Sequence, residues 1–112
     1  MATVTTTGLN KIVDTAKTNF AYLAVGNGTP TTTALGNELD RNAATVSIVD
    51  NVMYVESLFS NAEANNAALS EWGVFTASTG GYLLVYGAES PTVNKDSSSG
   101  LFVSVTVTLD NA

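Results

Sequence analysis

Residues 101–109 carry the sequence LFVSVTVTL, and this stretch decides the fold class. Every second residue is aliphatic, and Phe or hydroxyl side chains occupy the positions between them. A period of two is typical of a β-strand that lays one face on a hydrophobic core. We therefore predict a strand whose five aliphatic side chains point the same way: Leu101, Val103, Val105, Val107 and Leu109.

Similar patterns upstream extend the prediction to a mainly β chain. Segments 44–49 and 52–59 flank Asp50 and Asn51, a two-residue link that suits a tight hairpin. Further strands are predicted at 20–25, 69–75 and 82–88. Segments 33–39 and 60–66 are each expected to form a single helical turn, and the second, which is polar, is capped by Ser60 over Glu63. Loops are expected at 26–30, at Pro91 and at 96–100.

One helix is predicted, over Leu9 to Thr18, with Thr7 as its N-cap. Its expected buried face follows the i, i+3, i+4, i+7 spacing: Leu9, Ile12, Val13 and Ala16. Residues 1–7 are Thr-rich and form a predicted N-terminal arm, and residues 8–112 form a single domain. Together these elements predict an antiparallel β-sandwich with one short helix packed against it.

Composition excludes several classes of function. The chain has 112 residues and a formal net charge of −6, from ten acids and four bases. Such an acidic chain repels nucleic acid and anionic membranes, so neither is an expected partner. Because the chain has no His and no Cys, we expect no catalytic residue, no cofactor and no metal site.

Paired carboxylates leave one enzymatic alternative open, glycan hydrolysis across a cleft. The candidate acids are Glu38, Asp40, Glu56 and Glu71. We prefer the interpretation in which these acids are solvated or pair with Arg41 and the lysines, because a sandwich of this size rarely forms a deep cleft. Trp72 is expected in the core, with stacking on a sugar or a partner as the alternative.

Several short motifs occur in a characteristic order along the chain. They are GLNKI at 8–12, LAVGNGTP at 23–30, TALGNEL at 33–39 with Arg41 after it, EWGVF at 71–75 and GYLL at 81–84. This order resembles the N-terminal domain of phage tail-collar fibre proteins, and small stand-alone phage proteins like it, from about Gly8 to Leu109. Asp40 departs from that pattern where an aromatic residue is common, and Trp72 replaces an aliphatic residue.

The resemblance implies a virion protein, since in fibre proteins this domain attaches to the tail or baseplate. We expect a non-enzymatic structural protein that docks onto other virion proteins. Because no shaft follows Ala112, we expect an adaptor or a reused module rather than a complete fibre. A tail collar or fibre adaptor is the first choice, because the resemblance is closest to the attachment domain. A capsid decoration (cement) protein is the alternative, and a glycan-processing enzyme and a cellular binding module rank below both.

Hydroxyl-rich strand faces with few charges are easily desolvated, which suits an interface. Docking is predicted first at the arm, with the loops 26–30 and 60–66 as the next candidates. The candidate interface residues are Thr3, Val4, Thr5, Thr6, Asn27, Thr29, Pro30, Asn61 and Asn65. The arm has high β-propensity and is predicted to complete a sheet, on a neighbour or on its own domain. The alternative is a flexible terminus. A homo-oligomer is expected because virion proteins assemble under symmetry.

Overall fold

The computed structural model describes residues 3–110, in which one helix is followed by seven strands. The elements are α1 (Thr6–Asn19), β1 (Tyr22–Gly26), β2 (Glu38–Ala43), β3 (Thr45–Val49), β4 (Val52–Phe59), β5 (Asn66–Phe75), β6 (Leu83–Lys95) and β7 (Leu101–Thr108). Within these residues, no helix has the length and apolar character that crossing a membrane requires.

The strands form two antiparallel sheets. One has four strands in the order β2-β1-β5-β6, and the other has three in the order β3-β4-β7. Only Ala44 separates β2 from β3, so the chain passes from one sheet to the other at that residue. The predicted class, a β-sandwich with one short helix, is confirmed.

The terminal strand has the predicted orientation. It pairs with β4 without a register shift, from Phe59 opposite Leu101 to Val52 opposite Thr108. Along 101–109 the odd-numbered residues are buried or half-buried and the even-numbered ones are exposed. The five aliphatic side chains therefore share one face, which packs against the core.

The main core lies between the sheets and beneath the helix. Its largest fully buried apolar side chains are Phe59, Leu23, Met53, Val13, Val55 and Val74. Trp72 is half-buried and packs against this core, as predicted. Its indole lies directly over Gly87, where an added Cβ would come within 2.3 Å of the ring. A glycine is needed there because the ring occupies the space of a side chain.

The helix departs from the prediction in its start and in its buried face. It begins at Thr6, and the N-cap is Thr5, whose Oγ1 accepts a hydrogen bond from the Gly8 N–H at 3.0 Å. The predicted cap at Thr7 is therefore wrong. Three consecutive threonines carry the same capping hydroxyl, so the sequence alone does not distinguish which of them caps the helix. Ile12 is also wrong as a core residue, since it is 51% exposed, while Val13 is fully buried.

Two strand boundaries also differ from the prediction. Segment 33–39 forms bends rather than a helical turn and runs into β2, whose polar sequence has no apolar alternation. Strand β6 continues past Ala88 and through Pro91 to Lys95. Proline is tolerated there because β6 is an edge strand, where a missing N–H need not interrupt the sheet.

Segment 60–66 forms one hydrogen-bonded turn that is too short to be a helix, and the predicted capping contact is present. The Ser60 N–H donates to the Glu63 carboxylate at 2.8 Å, and the Glu63 N–H donates to the Ser60 carbonyl at 3.0 Å. The turn ends at Ala64, whose φ is +55°. This left-handed residue stops the helical turn and directs the chain into β5.

The burial of the helix predicts a difference between two neighbouring substitutions. Val13→Ala should lower the free energy of unfolding by about 2 kcal/mol, because it leaves a cavity in the core. Ile12→Ala, at the exposed position, should change it by less than about 0.5 kcal/mol. Urea denaturation of both variants measures the two values, and equal losses would contradict the burial of Val13 and the exposure of Ile12.

Candidate functional site

Glu71 is a buried acid on the face of β5 opposite the main core. It is 2% exposed. Strand alternation directs Trp72 and Val74 to the main core, while Phe75 belongs to a second cluster with Ala24 and Leu35. Leu35 comes from segment 27–37, which joins β1 to β2 and covers this face of the four-stranded sheet. We call this segment the covering loop.

The Glu71 carboxylate holds the covering loop through three backbone amides. Its Oε2 accepts from the N–H groups of Gly28 and Asn37, both at 2.8 Å, and its Oε1 accepts from the Gly36 N–H at 2.6 Å. Within residues 3–110, no lysine or arginine forms an ion pair with it. Converging backbone dipoles therefore stabilise the buried charge, as they do in anion-binding nests.

Three glycines let the backbone approach this carboxylate. A Cβ on Gly26 would lie 2.3 Å from the Asn37 carbonyl oxygen and 2.5 Å from the Glu71 carboxylate. A Cβ on Gly28 would lie 2.6 Å from the Asn37 nitrogen, and one on Gly36 would lie 2.4 Å from the Thr29 carbonyl oxygen. The obstructing atoms are mostly backbone, so they cannot rotate away. The glycines of the AVGNG and LGNE motifs are thus required by close packing.

Arg41 fastens β2 to the turn between β5 and β6. Its guanidinium makes two hydrogen bonds to the Glu38 carboxylate, at 2.9 and 2.6 Å, and two to the carbonyls of Ala77 and Gly80, at 2.9 and 2.8 Å. The same group stacks 3.7 Å from the centre of the Phe75 ring. Only 7% of this side chain is exposed, so its role is to stabilise the fold.

The opposite side of β2 binds the turn between β4 and β5. Asp40 accepts a hydrogen bond from the Ala64 N–H at 3.0 Å. Asn42 donates to the Glu63 carboxylate at 3.2 Å and to the Leu58 carbonyl at 3.3 Å. The backbone N–H of Ser60, and then the Asn42 amide, lower the pKa of Glu63 by stabilising its charged form. These polar contacts join the two sheets.

A buried lysine fastens the end of β6 to the same turn. Lys95 is 4% exposed, and its Nζ donates to the Asn65 side-chain oxygen at 2.7 Å. The next residue, Asp96, accepts from the hydroxyl and the backbone N–H of Ser98, and these two contacts lower its pKa. Asn65 therefore has a structural role in addition to its predicted place at an interface.

The structure places the predicted interface residues at two distant ends. Asn27, Thr29 and Pro30 lie on the covering loop, which Ser70 holds through the Gly28 carbonyl at 2.8 Å. Asn61 and Asn65 are exposed in the turn that leads into β5.

The arm lies at the other end of the molecule. Thr6 borders a cleft with Asp50 and Asn51, at the hairpin between β3 and β4. Thr5 caps the helix, and Thr6 and Thr7 form its first turn, so the prediction of a β-strand arm is wrong for these three residues. Thr3 and Val4 are exposed and precede the helix, while Met1 and Ala2 lie outside the described residues.

The motif pattern did not single out one exposed surface, the side of the three-stranded sheet that points away from the core. We call it the outer face. It consists of Thr45, Ser47, Val49, Val52, Tyr54, Glu56, Leu58, Phe102, Ser104, Thr106 and Thr108. Leu58 and Phe102 face each other across β4 and β7 and are 62% and 60% exposed. Phe102, an aromatic residue at an outward position, was the available signal in the sequence.

The candidate catalytic acids have other partners in the structure. The oxygens of Glu71 accept backbone amides, Glu38 binds Arg41, and Asp40 binds the Ala64 N–H. Glu56 lies on the outer face, away from Glu71. Among residues 3–110, no three His, Cys, Asp or Glu side chains are grouped so that they could hold a metal ion.

Comparison with known proteins identified no relative of this chain. No protein-family model, curated protein or solved structure matches the chain. The resemblance to the tail-collar domain therefore stays a prediction. Its motifs nevertheless meet in one place, because the AVGNG and LGNE glycines, Arg41 and the EWGVF strand together build the Glu71 and Arg41 contacts.

The three amides at Glu71 predict a large effect of one isosteric change. Glu71→Gln should lower the free energy of unfolding by roughly 2 to 3 kcal/mol, because its NH₂ group would face a backbone N–H that then lacks an acceptor. Glu89→Gln, at an exposed position of β6, is the matched control and should leave stability nearly unchanged. Denaturant titrations compare the two, and similar stabilities would contradict the carboxylate's role.

The lowered pKa values of Glu63 and Asp96 predict a loss of stability in acid. Their stabilising contribution is complete above the pKa of the unfolded chain and disappears as the pH falls through the lower folded values. Glu63→Gln keeps an acceptor oxygen and removes the charge. Its melting temperature should therefore fall less steeply than that of the wild type below about pH 4. Thermal scans at several pH values measure this fall. An equal fall of the melting temperature with pH in both proteins would refute the assignment for Glu63.

Proposed function

We propose that this protein is a non-enzymatic structural component of a bacteriophage particle, and that it docks onto other virion proteins through the outer face. The observation that carries the proposal is the chemistry of this face. Hydroxyl and apolar side chains fill it, and Glu56 is its only charged residue. On a chain with a net charge of −6, a broad surface with a single charge is distinctive.

Such a surface suits protein contact for an energetic reason. Interface cores are depleted in charged residues, because charges lose more hydration free energy on burial than hydroxyl or apolar groups do. Leu58 and Phe102 supply adjacent exposed apolar side chains, which can fill a pocket on a partner. The surrounding threonines and serines can hydrogen-bond at the rim.

The rest of the molecule supports a docking role by holding the sheets rigid. Buried contacts of Glu71, Arg41 and Lys95 fasten the covering loop and two turns. A rigid binding surface loses little conformational entropy on association. These contacts within the protein also explain why the three polar side chains are buried, so no substrate is needed to explain their burial. This favours a structural role over glycan hydrolysis.

The assignment to a phage particle, and within it to the tail, rests on the resemblance of the motifs. A collar or fibre adaptor is the role we favour, and a capsid decoration protein is its alternative. Copy number separates them, because tail fittings are few per particle and decoration proteins are many. Quantifying the chain in purified particles, together with the identity of the flanking genes as tail or capsid genes, decides between the two.

Docking through the outer face predicts the effect of one surface substitution. Phe102→Lys should weaken binding to particles that lack this protein by roughly tenfold or more, because a charge would enter the interface core. The control is Tyr82→Lys, which changes an aromatic side chain that is 81% exposed and lies just before β6 in the other sheet. Circular dichroism establishes that both variants are folded, and cosedimentation with particles measures binding.

The arm needs its own variant in the same experiment. Deleting residues 2–4 spares the Thr5 cap, whereas deleting 2–7 would remove the first turn of the helix. Full binding by Phe102→Lys combined with lost binding by the deletion variant would place docking on the arm and overturn the proposed face. Failure of the wild-type protein to bind either heads or tails would overturn the virion role itself.

A further inference from the structure

The four edges of the two sheets are not equally protected against pairing. Edge strand β2 carries Glu38, Asp40 and Arg41, and its ladder with β1 has a register shift. Edge strand β6 contains Pro91, and its ladder with β5 shifts register three times. Edge strand β3 has five residues and lies against the helix. Charges, proline, irregular register, short length and a covering element are the usual means of blocking strand addition.

Strand β7 has none of these protections. It is eight residues long, contains no charge and no proline, and pairs with β4 in continuous register. Among residues 3–110, no strand lies on its other side. A long, regular, uncharged edge is a ready template for another strand.

The direction of the backbone groups along β7 follows from one contact. The Leu109 N–H donates to the Asn51 carbonyl at 3.0 Å, and the Leu109 carbonyl accepts from the Asn51 side chain at 2.6 Å. Both groups of Leu109 therefore point toward β4. Because these directions alternate along a strand, Ser104 and Thr106 direct their N–H and carbonyl groups to the open edge.

We propose that β7 pairs antiparallel with β7 of a second copy of this chain, about a two-fold axis at Val105. The pattern of residues 101–109 is nearly the same in both directions: aliphatic at every odd position, with leucine at each end. Antiparallel pairing centred on Val105 places Leu101 opposite Leu109 of the second copy and Val103 opposite Val107 of the second copy. A two-fold interface requires this kind of self-complementarity.

Charge favours this edge for self-association. Each copy carries a net charge of −6, so most approaches between two copies are repulsive. Of the four bases, Arg41 and Lys95 are buried, and the exposed Lys11 and Lys17 both lie on the helix. An uncharged edge therefore lets two copies meet with little direct repulsion.

An apolar cleft beside β7 provides room for the added strand. It has a volume of about 240 Å³ and is lined by both sheets, with Leu101 and Val103 from β7 and Leu69, Trp72 and Val93 from β5 and β6. Glu71 and Glu89 also line it, so the cleft is mostly rather than wholly apolar. In the proposed pairing, Val107 and Leu109 of the second copy lie next to Val103 and Leu101 on this same inner side. Their side chains would cover the cleft and reduce its apolar exposure.

The oligomeric state of the purified full chain tests this proposal, independently of any phage role. Light scattering during size-exclusion chromatography should give the mass of two chains for the wild type. Ser104→Pro removes an N–H that faces the open edge and should halve that mass. The backbone hydrogen bonds to β4 come from the odd-numbered residues of β7 and stay intact, and the Ser104 Oγ contact with Glu56 is lost in Ser104→Pro and Ser104→Ala alike. Ser104→Ala keeps the N–H and is the matched control, so it should remain a dimer.

Hydrogen exchange gives a second measurement on the wild-type protein, which does not depend on the folding of the proline variant. The amide protons of Ser104 and Thr106 should exchange more slowly as protein concentration rises, since only the dimer bonds them. A wild type that is monomeric at every concentration, or that shows no such slowing, would overturn the proposal. So would a folded Ser104→Pro variant that remains a dimer.

Discussion

The contact on which the four-stranded sheet depends is that between the Glu71 carboxylate and three backbone N–H groups of the covering loop. A buried carboxylate is costly unless its oxygens are bonded, and here both are. The contact holds the loop against the sheet, which places Leu35 over Ala24 and Phe75 in the second cluster. The requirement for glycine at three loop positions follows from the same close approach.

Polar and apolar forces are divided between the two sheets. Buried charged side chains hold the loops and turns around the four-stranded sheet: Glu71, Arg41 and Lys95. The inner face of the three-stranded sheet is almost wholly apolar, with Ser57 as a buried exception, and its outer face is mostly hydroxyl-bearing. One part of the molecule is thus fixed by directional contacts, while the other has a surface and an edge with few charges to desolvate.

Local pattern was sufficient wherever a strand has one buried and one exposed face. Strand β7 and the hairpin of β3 and β4 were predictable because alternation and a two-residue turn are properties of neighbouring residues. Strand β2 was not predictable, because its side chains bind turns that are distant in sequence. Arg41 binds the turn between β5 and β6, while Asp40 and Asn42 bind the turn between β4 and β5. Polar residues with tertiary partners look the same in sequence as polar residues in a loop.

By itself, the sequence determined the β class, the helix, the orientation of β7 and the lack of histidine and cysteine side chains. Each depends on composition or on short-range periodicity. Tertiary structure alone decided that Glu71 is a buried structural acid, that Ile12 faces outward, and that β7 is an open edge. These features depend on which segments meet in space, and residues such as Glu71 and Gly36, 35 positions apart, meet only in the folded chain.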